Sequence, residues 1–205
     1  EDFLKKKKCI CYGGLAINNI LPKQAQFYDR SIEIPDYDFY SSNAMSDAKE
    51  LADIYFKEGF KEIEAKAGVH FGTYKVYVNF IPIADITYLH PELFKNIGEE
   101  AILVEGIRYA PANLLRLNMF LELSRPAGDT SRWEKVHKRL TLLNKHYPLK
   151  VKDCNSVEFQ RKLDSYQDKA EEIYFTIRNT LTEQDSIFLG GYGTKLFSKY
   201  LPKNK

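Results

Sequence analysis

Two aspartates one residue apart, Asp36 and Asp38, interrupt the apolar and aromatic run Ile34-Pro35-Asp36-Tyr37-Asp38-Phe39-Tyr40. The flanking residues have strand chemistry. Strand side chains alternate faces with period 2, so residues 36 and 38 point the same way. The fold must therefore hold two carboxylates side by side at the edge of its core. At about 4 Å and an effective dielectric of 20, two such charges repel by about 4 kcal/mol. Either a shared proton or a cation relieves this.

The surrounding pattern places the pair in a small mixed layer of strands and helices. "CICYGG" predicts a short strand over Cys9, Ile10, Cys11 and Tyr12, ending in a glycine turn. "LAINNILP" predicts one or two helical turns stopped by Pro22, and residues 23 to 30 are polar enough for a loop. Ser46 is a candidate N-cap for a helix carrying Ala48, Leu51, Ala52 and Tyr55 and closing at Gly59. "KEIEAK" and "TYKVYVNFIPIADIT" predict two strands joined around "AGVHFG", the second carrying Asp85 in an apolar run.

From about Pro111 the pattern becomes helical. "PANLLRLNMFLELS" opens on a proline suited to a helix start. "SRWEKVHKRLTLLNKHYP" puts Trp133, Val136, Leu140 and Leu143 on one face, which predicts a core-facing helix. Phe159, Leu163, Tyr166, Ala170, Ile173, Ile177 and Leu181 are spaced nearly as a heptad, consistent with one long helix or a coiled-coil seam. "IFLGGYGTKLFSKYLP" then echoes "ICYGGLAINNILP", which predicts a second, incomplete copy of the first unit beginning near residue 186. The expected fold class is α+β, with segments 1–125, 126–185 and 186–205.

Composition excludes several classes. A net charge of +2 rules out a strongly basic coat, so any nucleic acid would be handled in a local groove. No apolar run approaches the roughly 18 residues that a membrane span needs. Cys9 and Cys11 sit two apart on one strand and cannot bridge easily, and with Cys154 the three cysteines leave one unpaired under any scheme, which fits a reducing compartment. The four histidines lack metal-ligand spacing to any cysteine, so a zinc site is not expected. Lys5 to Lys8 read as a solvated terminal run. The chain opens at Glu1, as a trimmed or internal piece of a longer protein would.

A D-x-D alone is usually a solvated edge feature, and Gly-Gly alone is usually a turn. Asp85 carries more weight, because an unpaired carboxylate in an apolar strand is costly to bury. If its strand lies beside that of Asp36 and Asp38, three carboxylates converge. Such a cluster suits a hard divalent ion, Mg²⁺ or Mn²⁺. Two such ions can activate an attacking hydroxyl and neutralise a leaving pyrophosphate. Gly13 and Gly14, ahead of a helix, would let backbone N–H groups approach phosphates.

"YGG", "PDYDFYS" and "TYKVYVNFIPIADIT" together resemble the DNA polymerase β-type nucleotidyltransferase pattern. The longer "YAPANLLRLNMFLELSRPAGDTSRWEKVHKRLTLLNKHYP" resembles more specifically the poly(A) polymerase catalytic subunit of nucleocytoplasmic large DNA viruses, the poxvirus-like group. The likeness runs from about residue 9 to 148 and resumes at "FLGGYGTKLFSKYLP". It implies addition of AMP from ATP to an RNA 3′ end, with Asp36, Asp38 and Asp85 as catalytic metal ligands. It further implies nucleotide binding by Gly13 and Gly14, a second domain lacking acids, a processivity subunit or homo-oligomer as partner, and work in the infected cell's cytoplasm or the virion.

Two departures stand out. Leu15 occupies a position that often carries a hydroxyl, leaving the backbone or Asn18 as phosphate donor, and the gap from Gly14 to Asp36 is long. Arg116, Arg125, Arg132 and Lys138 are further candidate contacts to triphosphate or RNA. The rival readings are a nucleotidyltransferase acting on a tRNA end or small acceptor, and a non-catalytic RNA-binding or assembly fragment.

Overall fold

The computed structural model describes residues 1–29, 31–32, 35–125, 127–149 and 167–197, with backbone alone for 167 and 194–197. The chain divides into two compact units, Glu1–Lys150 and Val151–Lys205.

The first unit is built on a seven-stranded mixed sheet. Its strands are β1 (Ile10–Cys11), β2 (Tyr37–Ser41), β3 (Ile63–Ala67), β4 (Thr73–Val78), β5 (Ile81–Tyr88), β6 (Ile102–Val104) and β7 (Ile107–Tyr109), in the order β3-β4-β5-β2-β1-β7-β6. β2 runs parallel to β5 and β1 parallel to β7, while the other pairs are antiparallel. The helices are α1 (Asp2–Lys7), α2 (Gly13–Ile20), α3 (Ala44–Lys57), α4 (Pro91–Glu99), α5 (Ala112–Leu123) and α6 (Trp133–His146). This is the α+β class the pattern predicts.

Alternation along the central strands sets up the site. Phe39, Ala84 and Ile86 are buried with Val76 in the main apolar cluster. Asp38 and Asp85, one residue out of phase with them, take the opposite face. α3 packs along β3, β4 and β5, and α2 packs on β2. Leu15, Ala16, Ile17 and Ile20 fix α2 to the core. Val136, Leu140 and Leu143 bury the expected face of α6, which packs against α5 and α2, while Trp133 is only half-buried.

Two readings of the pattern are corrected. The strand expected across "TYKVYVNFIPIADIT" is a hairpin, because Asn79 and Phe80 both take positive φ, 51° and 66°, between β4 and β5. Two-residue loops of type I′ need that geometry, and Asn-Phe lacks the glycine that usually announces it. α3 begins at Ala44 with Asn43 in the N-cap position, placing Ser46 inside the first turn. The pattern assigns no element to residues 91 to 109, which hold α4, β6 and β7; strands of three residues are too short to show period 2. In the lysine run, read as solvated, Lys5, Lys6 and Lys8 are exposed, while Lys7, at the end of α1, pairs with Asp47 at 3.0 Å and Glu50 at 2.5 Å.

Cys9 and Cys11 are buried free thiols. Among the described residues no helix is long and apolar enough to cross a membrane.

In the second unit, α7 (Ala170–Glu183) carries Ala170, Ile173, Ile177 and Leu181, with Ile177 exposed. Phe159, Leu163, Tyr166 and Cys154 lie outside the described residues, as does the end of the repeat at Leu201-Pro202. α8 (Gly190–Phe197) matches α2 in length at 8 residues. Each helix opens on the first glycine of its pair in positive φ, +73° for Gly13 and +69° for Gly190.

Candidate active site

Parallel pairing of β2 with β5 puts Asp38 directly opposite Asp85. Asp36 lies just ahead of β2. Each of the three offers a carboxylate oxygen, and these oxygens all lie within 4.8 Å of one another. None of the three residues is fully exposed.

The electrostatics of the cluster are those of crowded acids. Burial pushes the Asp38 carboxyl up to about 7, and the charges of Asp36 and Asp85 push in the same direction. Lys75 and Arg132 oppose this shift. Lys75 reaches the cluster by register, since it sits opposite Asp85 on β4 and places Nζ 2.5 Å from Asp85 Oδ2. Burial disfavours the Lys75 ammonium, but the hydrogen bond and charge of Asp85 outweigh it and hold the group above its ordinary value. Asp85 Oδ1 is buried with no hydrogen-bond partner. A carboxylate with one oxygen bound to an ammonium and the other orphaned is short of positive charge. The donor set therefore fits a hard divalent cation.

Beside the acids lies the start of α2. The Tyr12 backbone N–H donates to the Asp38 carbonyl at 2.9 Å, which ties the glycine turn to β2. A Cβ on Gly13 would meet Asp38 Cγ at 2.9 Å and its Oδ2 closer still, so only glycine lets this carboxylate rest against the helix start. Tyr12 stacks on Tyr40 with centroids 4.1 Å apart and bonds Thr87 Oγ1 at 2.8 Å, bracing β1, β2 and β5 below the acids.

The remaining candidates fall in different places. Asn18 is buried, and its Oδ1 accepts the backbone N–H groups of Phe27 at 2.7 Å and Tyr28 at 2.9 Å. Its Nδ2 donates to Asn19 Oδ1 at 3.0 Å, so Asn18 organises the 27–28 loop in this structure. Leu15 is buried in the core. Arg116 is buried and donates to Asn113 Oδ1, Asn144 Oδ1 and the Tyr147 carbonyl. Arg125 is exposed. Arg132 is exposed and bonds Glu122 at 2.8 Å, yet its charge is felt at Asp38. Lys138 pairs with Glu134 on the surface of α6.

Lys75 and Arg139 were not anticipated. Arg139 Nη2 donates to Tyr28 Oη at 2.8 Å, across 111 residues of sequence. No local pattern announces such a contact. Lys75 could have been found from strand pairing, but only with the hairpin at Asn79-Phe80 known.

A family model described as poly(A) polymerase catalytic subunit matches residues 1–129. The chain belongs to that family. A protein of African swine fever virus, strain Badajoz 1971 Vero-adapted, provisionally named poly(A) polymerase catalytic subunit, is 31% identical over 163 residues. That match covers 77% of this chain and 34% of the viral protein. A protein of Acanthamoeba polyphaga mimivirus with the same provisional name is 31% identical over 188 residues, covering 89% of this chain and 30% of its own length. The crystal structure of the Megavirus polyadenylate synthase superposes with a TM-score of 0.73 at 30% identity, over 86% of this chain and 36% of that one. The chain thus spans about a third of the length of the poly(A) polymerase relatives it matches.

Proposed function

We propose that this chain carries the nucleotidyl-transfer site of a poly(A) polymerase, extending an RNA 3′ end with AMP from ATP. The observation that carries this is the convergence of Asp36, Asp38 and Asp85 within 4.8 Å beside the glycine-pair start of α2. Family membership supports the choice of ATP and RNA.

In the balanced reaction, the RNA 3′-oxygen bonds to the α-phosphorus, the bond from that phosphorus to the bridging oxygen breaks, and pyrophosphate leaves. One proton is released from the 3′-hydroxyl. Asp36 and Asp38 would hold both divalent ions and Asp85 would complete the site on the nucleophile's side. When bound, Mg²⁺ or Mn²⁺ supplies positive charge to the attacking and leaving oxygens. The protein's own contribution is positioning. Gly13 leaves room for Asp38 against the helix start, where the free N–H groups of α2 face the phosphates. Lys75 holds Asp85 by one oxygen and leaves the other to the cluster. No protein nucleophile is required.

By the same reading, residues 186–205 open a second, acid-free unit, which the matching glycine-led start of α8 supports. A processivity subunit or a second copy is the expected partner.

The test is incorporation from each NTP in Mg²⁺, with and without an oligonucleotide RNA primer. ATP-restricted, primer-dependent extension that disappears in Asp38→Ala is expected. Equal use of all NTPs or a non-RNA acceptor would favour another nucleotidyltransferase. RNA binding with no turnover would leave a binding fragment instead.

A further inference from the structure

We infer that Arg139, from α6, is the side chain that grips the β- and γ-phosphates of the incoming nucleotide. The inference rests on the proposed reaction and deepens it.

Three observations carry it. Arg139 lies against the start of α2: a Cβ on Gly14 would fall 2.8 Å from Nη1 and 2.9 Å from Cζ. Arg139 is half-buried, and among the described residues it has no carboxylate partner. Among the described residues its hydrogen-bond and cation–π partners are Phe27 and Tyr28. Cζ lies 5.1 Å from the Phe27 ring centroid and 5.6 Å from that of Tyr28, and Nη2 donates to Tyr28 Oη. Taking even part of a guanidinium out of water is costly unless its charge is met. Here rings and a hydroxyl hold the cation in place and leave its charge uncancelled.

The order of groups along the helix start tells which phosphates it meets. Asp38 rests at Gly13 and Arg139 rests at Gly14. The reacting phosphorus belongs at the carboxylates, so the departing pyrophosphate extends toward Gly14 and the guanidinium. A planar fork matches paired phosphate oxygens and adds charge where negative charge grows as pyrophosphate leaves. Buried Leu15 offers no polar atom there, and Asn18 is occupied with the backbone of Phe27 and Tyr28. That second bond set explains the loop: Asn18 fixes residues 27–28, and Tyr28 in turn aims the guanidinium.

The experiment compares wild type, Arg139→Met, Arg139→Lys and Lys135→Met, a substitution on the exposed side of α6. Calorimetry in one Mg²⁺ buffer measures binding of ATP, tripolyphosphate and adenosine, with primer extension followed in parallel. In Arg139→Met, ATP and tripolyphosphate should bind about 10- to 100-fold more weakly, the size of a lost charge-assisted pair. Adenosine binding should be unchanged, Arg139→Lys should fall between, and Lys135→Met should match wild type. If Arg139 only pins the loop, Arg139→Met melts earlier but binds tripolyphosphate within about twofold of wild type, and the inference fails. Should Arg139→Met not fold, the Arg139 Nε–Hε resonance of the wild-type chain decides, identified by its loss in Arg139→Lys. It must move on addition of tripolyphosphate and not of adenosine, and an unmoved resonance overturns the inference. Wild-type extension is read separately: a chain that binds tripolyphosphate through Arg139 but adds no nucleotide keeps this inference and sinks the proposed reaction.

Discussion

Lys75 and Asp85 are cross-strand partners on β4 and β5, and the lysine ammonium sits 2.5 Å from the Asp85 carboxylate. The third acid of the cluster therefore carries its own cation, on one oxygen only. The other oxygen, Oδ1, is buried and unpartnered. One strand neighbour thus keeps the metal-free cluster tolerable without filling it.

That arrangement makes Lys75→Met informative. Removing one member of a largely buried pair leaves Asp85 uncompensated, and metal-free protein should lose about 1–3 kcal/mol, discounted for the part-exposure of Lys75. The stabilisation gained on adding Mg²⁺ should then exceed that of wild type. Thermal melts with chelator and with Mg²⁺ check both. A variant that melts like wild type in chelator contradicts the role assigned to the lysine.

The pH response of the metal-free protein follows from Asp38. Its carboxyl titrates near 7 in the fold, against 3.8 ordinarily, because of burial and then the neighbouring acids. Between those values the folded chain holds a proton that the unfolded chain has released, so stability falls as pH rises from about 4 to 7 and levels off above. Asp38→Asn removes this cost. It should be more stable than wild type by about 2–4 kcal/mol at pH 8, with the gap closing toward pH 4. Denaturant midpoints at a series of pH values, in chelator, give the answer. A gap that does not change with pH counts against a raised carboxyl.

Gly13→Ala should damage chemistry more than folding. Positive φ costs a non-glycine residue about 1–2 kcal/mol, and the new methyl must displace the Asp38 carboxylate. Misplacement by about 1 Å can cost about 10²-fold in rate. Extension assays should show a loss of that order, while circular dichroism retains the native signal. Near-normal extension would mean that Asp38 does not work from this position.

Arg116→Met should behave in the opposite way. Its guanidinium joins Asn113 on its own helix to Asn144 and Tyr147 at the end of α6. Losing a buried cation with three acceptors should cost about 3–5 kcal/mol, read from denaturant midpoints. ATP affinity of the folded fraction should be unchanged. A stable variant with weakened ATP binding would return Arg116 to the nucleotide site.

Much of this was readable in the letters alone. The alternation of Asp36 and Asp38 with Tyr37 and Phe39, the lone Asp85, the glycine pair, the proline start of α5 and the helical face of α6 are local patterns, most of them set by periods of 2 and 3.6 residues. A single sequence carries such periods, and it carried the α+β class with them. What it lacks is register. That Asp85 faces Asp38, that Lys75 completes the row across β4, and that Arg139 reaches Gly14 through Tyr28 depend on hydrogen bonding and packing between segments far apart in the chain. The hairpin at Asn79-Phe80 and the three-residue strands β6 and β7 stayed hidden for a related reason: their turns and pairings are fixed by neighbours in space, and the residues themselves state only a weak preference.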